Sequence, residues 1–276
     1  MKLEYNFLKK KYLKYFDNDE NYCDFFLSDA IFGFSEIFDF LKNNNISSVL
    51  EVGSGPGILI NEFKTFFPKI SFEGIDPNIN GFHKLRRVSE KLKKDYNIKV
   101  LDFNVEKYRE NKKFDLIFSV NVFEHVSDQS LYLSNTQEAL KKNGFNIILC
   151  PNYDFPYEPH FVIPIVINKK ITKFIFKSRI RKVETLIEDP NLWDGLQFKG
   201  KRWIKKFLKK AKCNYFFDED IKSRMLNRLD YDKEFKRRQG ITTTTIAIMC
   251  KFLKIDKLIF DFLKIPFPYM KLIIKK

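Results

Sequence analysis

The sequence predicts an α/β protein built on a doubly wound, mostly parallel sheet of seven strands, with helices on both faces. Short apolar runs typical of strands alternate with longer stretches that carry apolar residues at helical spacing. The run at 114–120 is almost wholly apolar, as expected for a parallel strand buried on both faces. With 276 residues, the chain exceeds one minimal α/β domain. We therefore expect one sheet domain with N-terminal helices and an insertion after the fifth strand.

Strands and helices alternate from residue 25 to residue 150. Apolar side chains recur every three or four positions in 25–41, before the polar loop at 43–45, and Pro68 stops the next helical pattern. Helices are predicted at 25–41, at 59–67, after Pro77 as far as Lys94, and at 131–140. Strands are predicted at 47–52, 71–75, 98–101, 114–120 and 145–150. Such alternation is typical of a parallel, Rossmann-like sheet.

The pattern loosens after residue 150. Residues 151–200 are rich in proline, aromatic and basic residues and are interpreted as an insertion on the substrate side. Helical order resumes at Arg202, with an apolar stripe through Ile204 and Leu208 opposite a row of lysines. The last two strands are predicted at 214–217 and 241–250, and a basic amphipathic helix with a tail at 251–276. The predicted divisions are a helical cap at 1–45, the sheet domain at 46–250 and the C-terminal segment at 251–276.

Charge is distributed unevenly along the chain. The formal net charge is +15, but residues 1–150 carry 21 Lys and Arg against 21 Asp and Glu, whereas residues 151–276 carry 29 against 14. Two interpretations stay open: a solvated basic surface, or a polyanionic or membrane-facing partner. The C-terminal segment is expected to pack on its own domain, with peripheral contact to the inner face of a membrane as the alternative.

Cysteine and histidine are too dispersed to indicate a metal site or a disulfide framework. The four cysteines form no C-x-x-C pair, and the three histidines are scattered. The start of the chain lacks an apolar stretch with a small-residue cleavage site, and no apolar run approaches the roughly 18 residues of a membrane span. We therefore expect a cytoplasmic protein without a metal.

Residues 49–57, Val-Leu-Glu-Val-Gly-Ser-Gly-Pro-Gly, predict a buried strand that runs into a glycine turn. A pyrophosphate-binding turn of the G-x-G-x-x-G type would need a third glycine at position 58, where the chain has Ile58. Glu51 would repel a pyrophosphate, but it can accept a hydrogen bond from the amino group of a ligand with an amino-acid tail. S-adenosylmethionine has such a tail.

This motif, together with Phe-Asp-Leu-Ile-Phe-Ser-Val-Asn-Val-Phe-Glu-His-Val at 114–126, resembles the class I S-adenosylmethionine-dependent methyltransferases. The group includes the ubiquinone-biosynthesis O-methyltransferases, and the resemblance covers roughly residues 46–152. It implies that Glu51 binds the amino group and that Asp76, at the end of the second strand, binds both ribose hydroxyls. It also implies close backbone approach to the methionine part at Gly53, Ser54, Gly55 and Gly57.

The resemblance implies further contacts at the ends of the third and fourth strands. Asp102, Phe103 and Asn104 would read the adenine edge through side chain and backbone, and the register leaves open whether Asp102 or Asn104 supplies the side chain. Asn121 would contact the methionine end at the crevice where open sheets bind ligands. Glu124 is expected to have a structural role in fastening the next helix.

The proline-braced loop at 151–160 has no counterpart in the minimal fold and begins at the same crevice. Tyr153, Tyr157 and Glu158 are predicted to contact substrate, the alternative being a loop that packs its aromatic rings on the rim of the sheet. If the acceptor is an alcohol, its proton must leave, and a histidine is the best available base. His160 is the first candidate and His125 the second.

These observations together predict an enzyme that transfers a methyl group from S-adenosylmethionine, on oxygen, to a small-molecule, sugar or lipid-linked acceptor. One alternative is an RNA methyltransferase that uses the basic C-terminal half, although no recognised RNA-binding motif accompanies it. A second alternative is a binding protein that keeps the cofactor fold without catalysis.

Overall fold

The computed structural model describes residues 3–77, 83–187, 189–253 and 255–276. Its main sheet has seven strands in the order β3-β2-β1-β4-β5-β9-β8 within that part of the chain. These strands are β1 (Ser48–Val52), β2 (Ser71–Ile75), β3 (Lys99–Leu101), β4 (Phe114–Val120), β5 (Leu140–Pro151), β8 (Asn214–Phe217) and β9 (Tyr269–Lys275). A two-stranded ribbon, β6 (Tyr157–Glu158) with β7 (Ile163–Pro164), stands apart. The predicted fold class is confirmed.

Helices surround the sheet and form the insertion. The first six are α1 (Tyr5–Tyr12), α2 (Glu20–Asn43), α3 (Ile58–Phe66), α4 (His83–Tyr96), α5 (Gln129–Ala139) and α6 (Lys169–Ile175). The others are α7 (Lys177–Ile187), α8 (Leu192–Gly195), α9 (Lys201–Lys210), α10 (Ile221–Tyr231), α11 (Lys233–Gln239), α12 (Ile241–Phe252) and α13 (Ile255–Lys257), which continues as a π-helical turn over Leu258–Phe262. The expected start of α4, at 78–82, lies outside the described residues. Among the helices described, none is long and apolar enough to cross a membrane.

The sheet places the glycine turn at its centre. Strand β1 pairs in parallel with β2 on one side and with β4 on the other, so that Glu51 lies beside Gly74 and Phe118. Strand order reverses between β1 and β4, and ligands of doubly wound sheets bind outside the carboxyl ends of the strands at such a switch point. The segments that follow β1 and β4 therefore meet at one crevice.

Two apolar cores cover the two faces of the sheet. On one face, α1, α2 and α3 pack against it, and the long helix α2 supplies Leu27, Phe34 and Ile37, all fully buried. On the other face, α5 and α9 supply Leu133 and Leu208. Helix α9 buries the stripe predicted from the sequence and exposes its lysines. The residues alternate between the two cores along each strand, as a sheet covered on both faces requires.

The insertion forms a packed unit. Trp193 of α8 is completely buried, and its ring lies edge-on to Phe161 and Phe198 at 5.3 and 5.4 Å between centroids. Ile180 of α7 and Ile163 of β7 complete this third small core. Because it has its own apolar interior, the insertion can hold the loop at 151–160 in a fixed position against the end of β5.

Two expectations for the C-terminal part of the chain were wrong. Residues 241–250, predicted as the seventh strand, belong to helix α12, and 251–276, predicted as a helix and tail, ends in strand β9. Strand β9 lies antiparallel between β5 and β8. Threonine and isoleucine favour strands where their side chains pack against neighbouring strands. In α12 only Thr244 is buried, whereas in β9 every residue but the last is buried. Burial therefore outweighed local propensity.

Candidate functional site

The turn between β1 and α3 requires glycine for two independent reasons. Gly53 and Gly57 have φ angles of +71° and +86°, in the region that side chains with a Cβ rarely adopt. A Cβ at Gly53 would lie 2.2 Å from Cγ2 of Val122, which follows β4. The turn is closed by a hydrogen bond from the N–H of Gly57 to the carbonyl of Ser54 at 2.9 Å. The glycine turn and the segment after β4 are thus in direct contact.

Two polar side chains of the turn are buried without a partner. Oε2 of Glu51 and Oγ of Ser54 have no hydrogen-bond partner among the described residues, and both residues are 5% exposed. Burial, and then the nearby charge of Asp76, raises the pKa of Glu51 well above its usual value. A buried carboxyl without a partner is costly, so this position suits a cationic hydrogen-bond donor from a ligand.

Asp76 braces the turn from the end of β2. Its Oδ2 accepts a hydrogen bond from the backbone N–H of Gly55 at 2.8 Å. The backbone N–H of Asp76 donates to the carbonyl of Leu101 at 3.0 Å, which ties the end of β2 to the end of β3. Asp76 therefore lies between the glycine turn and the three residues expected to read adenine.

The structure brings those three residues to the rim of the crevice, in different surroundings. Asp102 is exposed, with Oδ1 3.3 Å from Nζ of Lys93. Phe103 is 40% exposed, and its ring lies edge-on to Tyr108. The side-chain oxygen of Asn104 accepts from the backbone N–H of Glu106 at 2.8 Å and so shapes the local turn.

Asn121 follows β4 in a left-handed conformation, with φ of 55°. Its side-chain oxygen accepts a hydrogen bond from the hydroxyl of Tyr269, the first residue of β9, at 2.7 Å. Its N–H donates to the carbonyl of Leu149 at 2.8 Å. The side chain is therefore held in place by the strand that the sequence pattern did not predict.

A buried carboxylate holds His160. Glu158 is fully buried, and its Oε1 lies 2.6 Å from Nδ1 of His160. The same oxygen accepts from the hydroxyl of Tyr153 at 3.1 Å, and Oε2 accepts from the N–H of Phe161 at 2.8 Å. Burial acts to lower the pKa of His160, but the charge and hydrogen bond of Glu158 outweigh it and raise that pKa above 6.5.

Glu124 lies opposite His160. The sequence analysis did not predict this proximity. Its Oε1 is 3.9 Å from Nε2 of His160, and neither of its carboxyl oxygens has a hydrogen-bond partner among the described residues. Burial raises the pKa of Glu124 to about 7, although the His160 charge opposes this. The Glu-His dipeptide was a usable sequence signal, but 35 residues separate Glu124 from His160 and nothing local indicates that they meet.

His125 completes a small cluster. It is exposed, and its ring lies edge-on to that of His160 at 5.0 Å between centroids. Ligand atoms of Glu124, His125 and His160 lie within 4.8 Å of one another, a spacing that a metal ion could bridge. Because Glu158 accepts a hydrogen bond from Nδ1–H of the neutral ring, Nε2 of His160 faces Glu124 with its lone pair, an arrangement that can accept a proton or bind a cation.

The other two predicted substrate residues differ in position. The ring of Tyr153 stacks on Phe198 at 4.6 Å between centroids, so that this residue both supports Glu158 and packs on the insertion. The hydroxyl of Tyr157 reaches Oε1 of Gln239 at 3.5 Å, at the junction of α11 and α12. The loop thus connects the His160 cluster to the C-terminal helices.

Helices α10 and α11 pack over α2 through charged groups that no sequence pattern indicates. Arg228 is 2% exposed and donates to the carbonyl of Ser28, and its guanidinium lies over the rings of Phe32 and Phe235. Arg238 forms an ion pair with Asp29 at 2.7 Å. The charge of Arg238 also acts on His160, lowering its pKa against the effect of Glu158. One wall of the crevice therefore comes from α2 and α11.

A methyltransferase-domain family matches residues 27–231, about three quarters of the chain. The chain belongs to the methyltransferase family. An uncharacterised Mycobacterium tuberculosis protein is 31% identical over 198 residues, which cover 70% of this methyltransferase and 67% of that protein. The ubiquinone biosynthesis O-methyltransferase of Pelagibacter ubique is 31% identical over 114 residues, 41% of this chain and 44% of that one.

Solved structures share the fold of this methyltransferase. Phosphoethanolamine N-methyltransferase 2 of Haemonchus contortus, in complex with S-adenosyl-L-methionine, matches with a TM-score of 0.53 at 14% identity over 99% of this chain. The chain spans 59% of that enzyme. The plantazolicin methyltransferase, in complex with a substrate analogue and S-adenosylhomocysteine, matches with a TM-score of 0.50 at 14% identity, over 97% of this chain and 90% of that one.

The protein is a methyltransferase with the class I fold, and the two solved neighbours hold S-adenosyl-L-methionine or S-adenosylhomocysteine. The residues present fit this cofactor on one observation in particular, the buried, unpartnered carboxyl of Glu51 beside a turn that has no room for a Cβ at Gly53. An ammonium group supplies the donor and the positive charge that Glu51 lacks. The predicted family and cofactor are confirmed.

Proposed function

We propose that this methyltransferase acts on a hydroxyl group of a small-molecule, sugar or lipid-linked acceptor. The observation that carries the proposal is the 3.9 Å gap between Nε2 of His160 and Oε1 of Glu124. The gap is too long for a direct hydrogen bond, but an oxygen atom about 2.8 Å from each would fit between the two. Both groups are polar and largely buried; burial raises the pKa of Glu124 to about 7, and Glu158 raises the pKa of His160 above its usual value. A hydroxyl is the acceptor group that uses both.

In this mechanism His160 is the general base. S-adenosylmethionine, when bound, supplies a methyl group activated by its sulfonium centre. The Nε2 lone pair of neutral His160 would take the acceptor proton, while the methyl group would come from the sulfonium, whose S–C bond would break to leave S-adenosylhomocysteine. Glu158 holds the Nδ1 side of the ring, so that Nε2 faces the gap, and it stabilises the imidazolium that results. A pKa above 6.5 makes His160 a stronger base than a free histidine.

Glu124 orients the acceptor in the same proposal. Because the single hydroxyl proton points to His160, Glu124 acts in its carboxylic-acid form and donates a hydrogen bond to the acceptor oxygen. Because the charges of Glu124 and His160 each shift the other's pKa, the two titrate as a coupled pair. His125 stays the second candidate base because its ring adjoins the same gap, but desolvation and the His160 charge lower its pKa to about 3, which makes it the weaker base.

The cofactor residues keep the roles that the family resemblance implies. Glu51 and the turn Gly53, Ser54, Gly55 and Gly57 hold the methionine part, with Asn121 beside it. Asp76 binds the ribose hydroxyls, and Asp102, Phe103 and Asn104 border the adenine. Support comes from the contact between Gly55 and Asp76 and from the backbone link between Asp76 and Leu101, which place these segments side by side. The cap at 1–45 and the insertion at 151–200 then form the acceptor pocket, with Tyr153 and Tyr157 in its wall.

The experiment identifies the acceptor and the methylated atom together. Extract from the source cells is incubated with the protein and isotopically methyl-labelled S-adenosylmethionine, and labelled products are identified by mass spectrometry. We expect a methyl ether or ester. The purified acceptor then serves to compare turnover of the wild type with that of His160→Gln, while S-adenosylhomocysteine binding is followed by calorimetry.

His160→Gln should lower kcat about 100-fold or more and leave S-adenosylhomocysteine affinity within about twofold. Glu219→Gln places the same new side chain at an exposed position outside the site. It is the control and should change neither quantity. A chelating agent should leave turnover unchanged. A labelled N-methyl product, a labelled RNA, or full turnover in His160→Gln would contradict the proposal.

A further inference from the structure

Helix α12 and the chain after it expose an unusual number of large apolar side chains. Within 241–265, nine such residues are at least 40% exposed. Ile241, Phe252 and Phe262 are 87%, 84% and 76% exposed. The full set, which we term the C-terminal apolar surface, is Ile241, Ile246, Met249, Phe252, Leu253, Leu258, Phe262, Leu263 and Ile265. Single exposed apolar residues are ordinary, whereas a group of this size marks an interaction site.

The exposed residues follow the helical period. Ile246, Met249 and Leu253 recur at spacings of three and four, so they lie on one side of α12. The opposite side packs on α10 and α11, and the Thr244 hydroxyl there donates to the carbonyl of Lys236. The apolar side is therefore the free outer side of a helix that is already seated on the protein.

The charges around this surface are basic. From 232 to 264 the sequence contains eight Lys and Arg against four Asp and Glu, and three of these cations, Arg237, Arg238 and Lys251, form ion pairs with carboxylates. Asp261, farther along, lies 2.6 Å from Lys222 and is neutralised by it. The half of the chain from 151 onward carries the whole net charge of +15. An apolar helix face bordered by Lys and Arg matches an anionic lipid bilayer, in which the apolar groups reach the acyl boundary and the cations reach the head groups.

Other occupants fit less well. Pairing with a second copy would bring together two surfaces of like charge, which is unfavourable. RNA would need cations at the centre of the contact, where this surface has isoleucine, leucine and methionine.

The surface begins at the rim of the acceptor site. Gln239, directly before α12, contacts Tyr157 of the insertion, and Arg238 acts electrostatically on His160. Farther along the insertion, Ile167 precedes α6 and Phe174 lies near its end, and these side chains are 84% and 83% exposed.

We propose that the C-terminal apolar surface docks this methyltransferase on an anionic phospholipid membrane and so presents a lipid-linked hydroxyl to the gap between His160 and Glu124. The identity of the acceptor rests on the proposed function, whereas the docking does not. A lipid-linked acceptor can keep its hydrocarbon chain in the bilayer while its polar end enters the pocket. No part of the chain needs to cross the membrane.

Docking is tested by sedimentation of the full chain with vesicles of phosphatidylcholine alone or mixed with phosphatidylglycerol. We expect binding to the mixed vesicles and little binding to phosphatidylcholine alone. The double variant Met249→Asp/Phe252→Asp should bind about tenfold or more weakly, because two side chains that enter the bilayer become charged. Phe7→Asp is the matched control, since Phe7 is 62% exposed on α1, outside this surface, and should bind as the wild type does.

Unchanged S-adenosylhomocysteine binding by the double variant would show that it folds. Wild type that binds neither vesicle, or a double variant that binds the mixed vesicles as well as the wild type, would overturn the docking. Docking would also be overturned if the wild type formed a dimer that the double variant could not form, or if the protein bound RNA and not vesicles. His160→Gln should sediment with vesicles as the wild type does. If it binds vesicles and also keeps full turnover, the proposed base is refuted and the docking still stands.

Discussion

Replacing Glu158 by glutamine tests the central pair of the site without any knowledge of the acceptor. The substitution keeps the shape of the side chain and an oxygen that can accept from Nδ1 of His160, but it removes a fully buried charge 2.6 Å away. A hydrogen bond to a charged group contributes about 1.5–3 kcal/mol, against about 0.5–1.5 for a neutral one. The difference, about 1–2 kcal/mol, corresponds to about one pKa unit of His160.

The assay is NMR titration of the histidine rings, which is practical because the chain has three histidines. The wild type should show one ring with a pKa above 6.5 that disappears in His160→Gln. In Glu158→Gln that pKa should fall by about one unit, because burial then acts without the opposing charge. Tyr153→Phe removes another hydrogen bond to Glu158 but keeps the charge, so the pKa should stay above 6.5.

The sign of the stability effect follows from the same shift. Because the folded pKa of His160 is above the unfolded value, the pair stabilises the fold below about pH 6.5 and loses this contribution as the pH rises through the folded pKa. Glu158→Gln should therefore destabilise the protein more at pH 5.5 than at pH 9, as measured by urea unfolding. An unchanged His160 titration in Glu158→Gln would refute the account of the pair.

Two further predictions concern the other buried carboxyl groups. Glu51→Gln should weaken S-adenosylmethionine binding about 10- to 100-fold in calorimetry, because a charge-assisted hydrogen bond is lost; an affinity within about twofold of the wild type would remove Glu51 from the site. The pKa of Glu124 is raised from 4.5 to about 7, so unfolding free energy falls as the pH rises between these values. Glu124→Gln should therefore gain up to about 3 kcal/mol relative to wild type between pH 4.5 and pH 8 in urea unfolding, and a pH-independent difference would contradict the shift.

The sequence predicted most strands of the sheet well, both in its parallel part and at the antiparallel edge strand β8. Residues 71–75, 114–120 and 214–217 are strands with the expected bounds. The same reasoning failed at 241–250. Its Thr and Ile residues are typical of a strand, but the segment is the helix α12, in which only one residue is buried. It also failed at β9, which includes a buried lysine: Lys271 is 8% exposed and is accommodated because Nζ donates to Oε2 of Glu36 at 3.1 Å. A local pattern cannot show that such a partner exists.

The two halves of the crevice differ in how far the sequence could describe them. The cofactor half is formed by short segments at the ends of β1 and β2, so its residue types and spacings are visible along the chain. The acceptor half depends on pairs that are distant in sequence, Glu124 with His160 and Asp29 with Arg238. No local pattern indicates that these partners meet. For the proposed acceptor pocket, we therefore expect substitutions in α2 or the insertion to change the acceptor while leaving the glycine turn and its ligand unaffected.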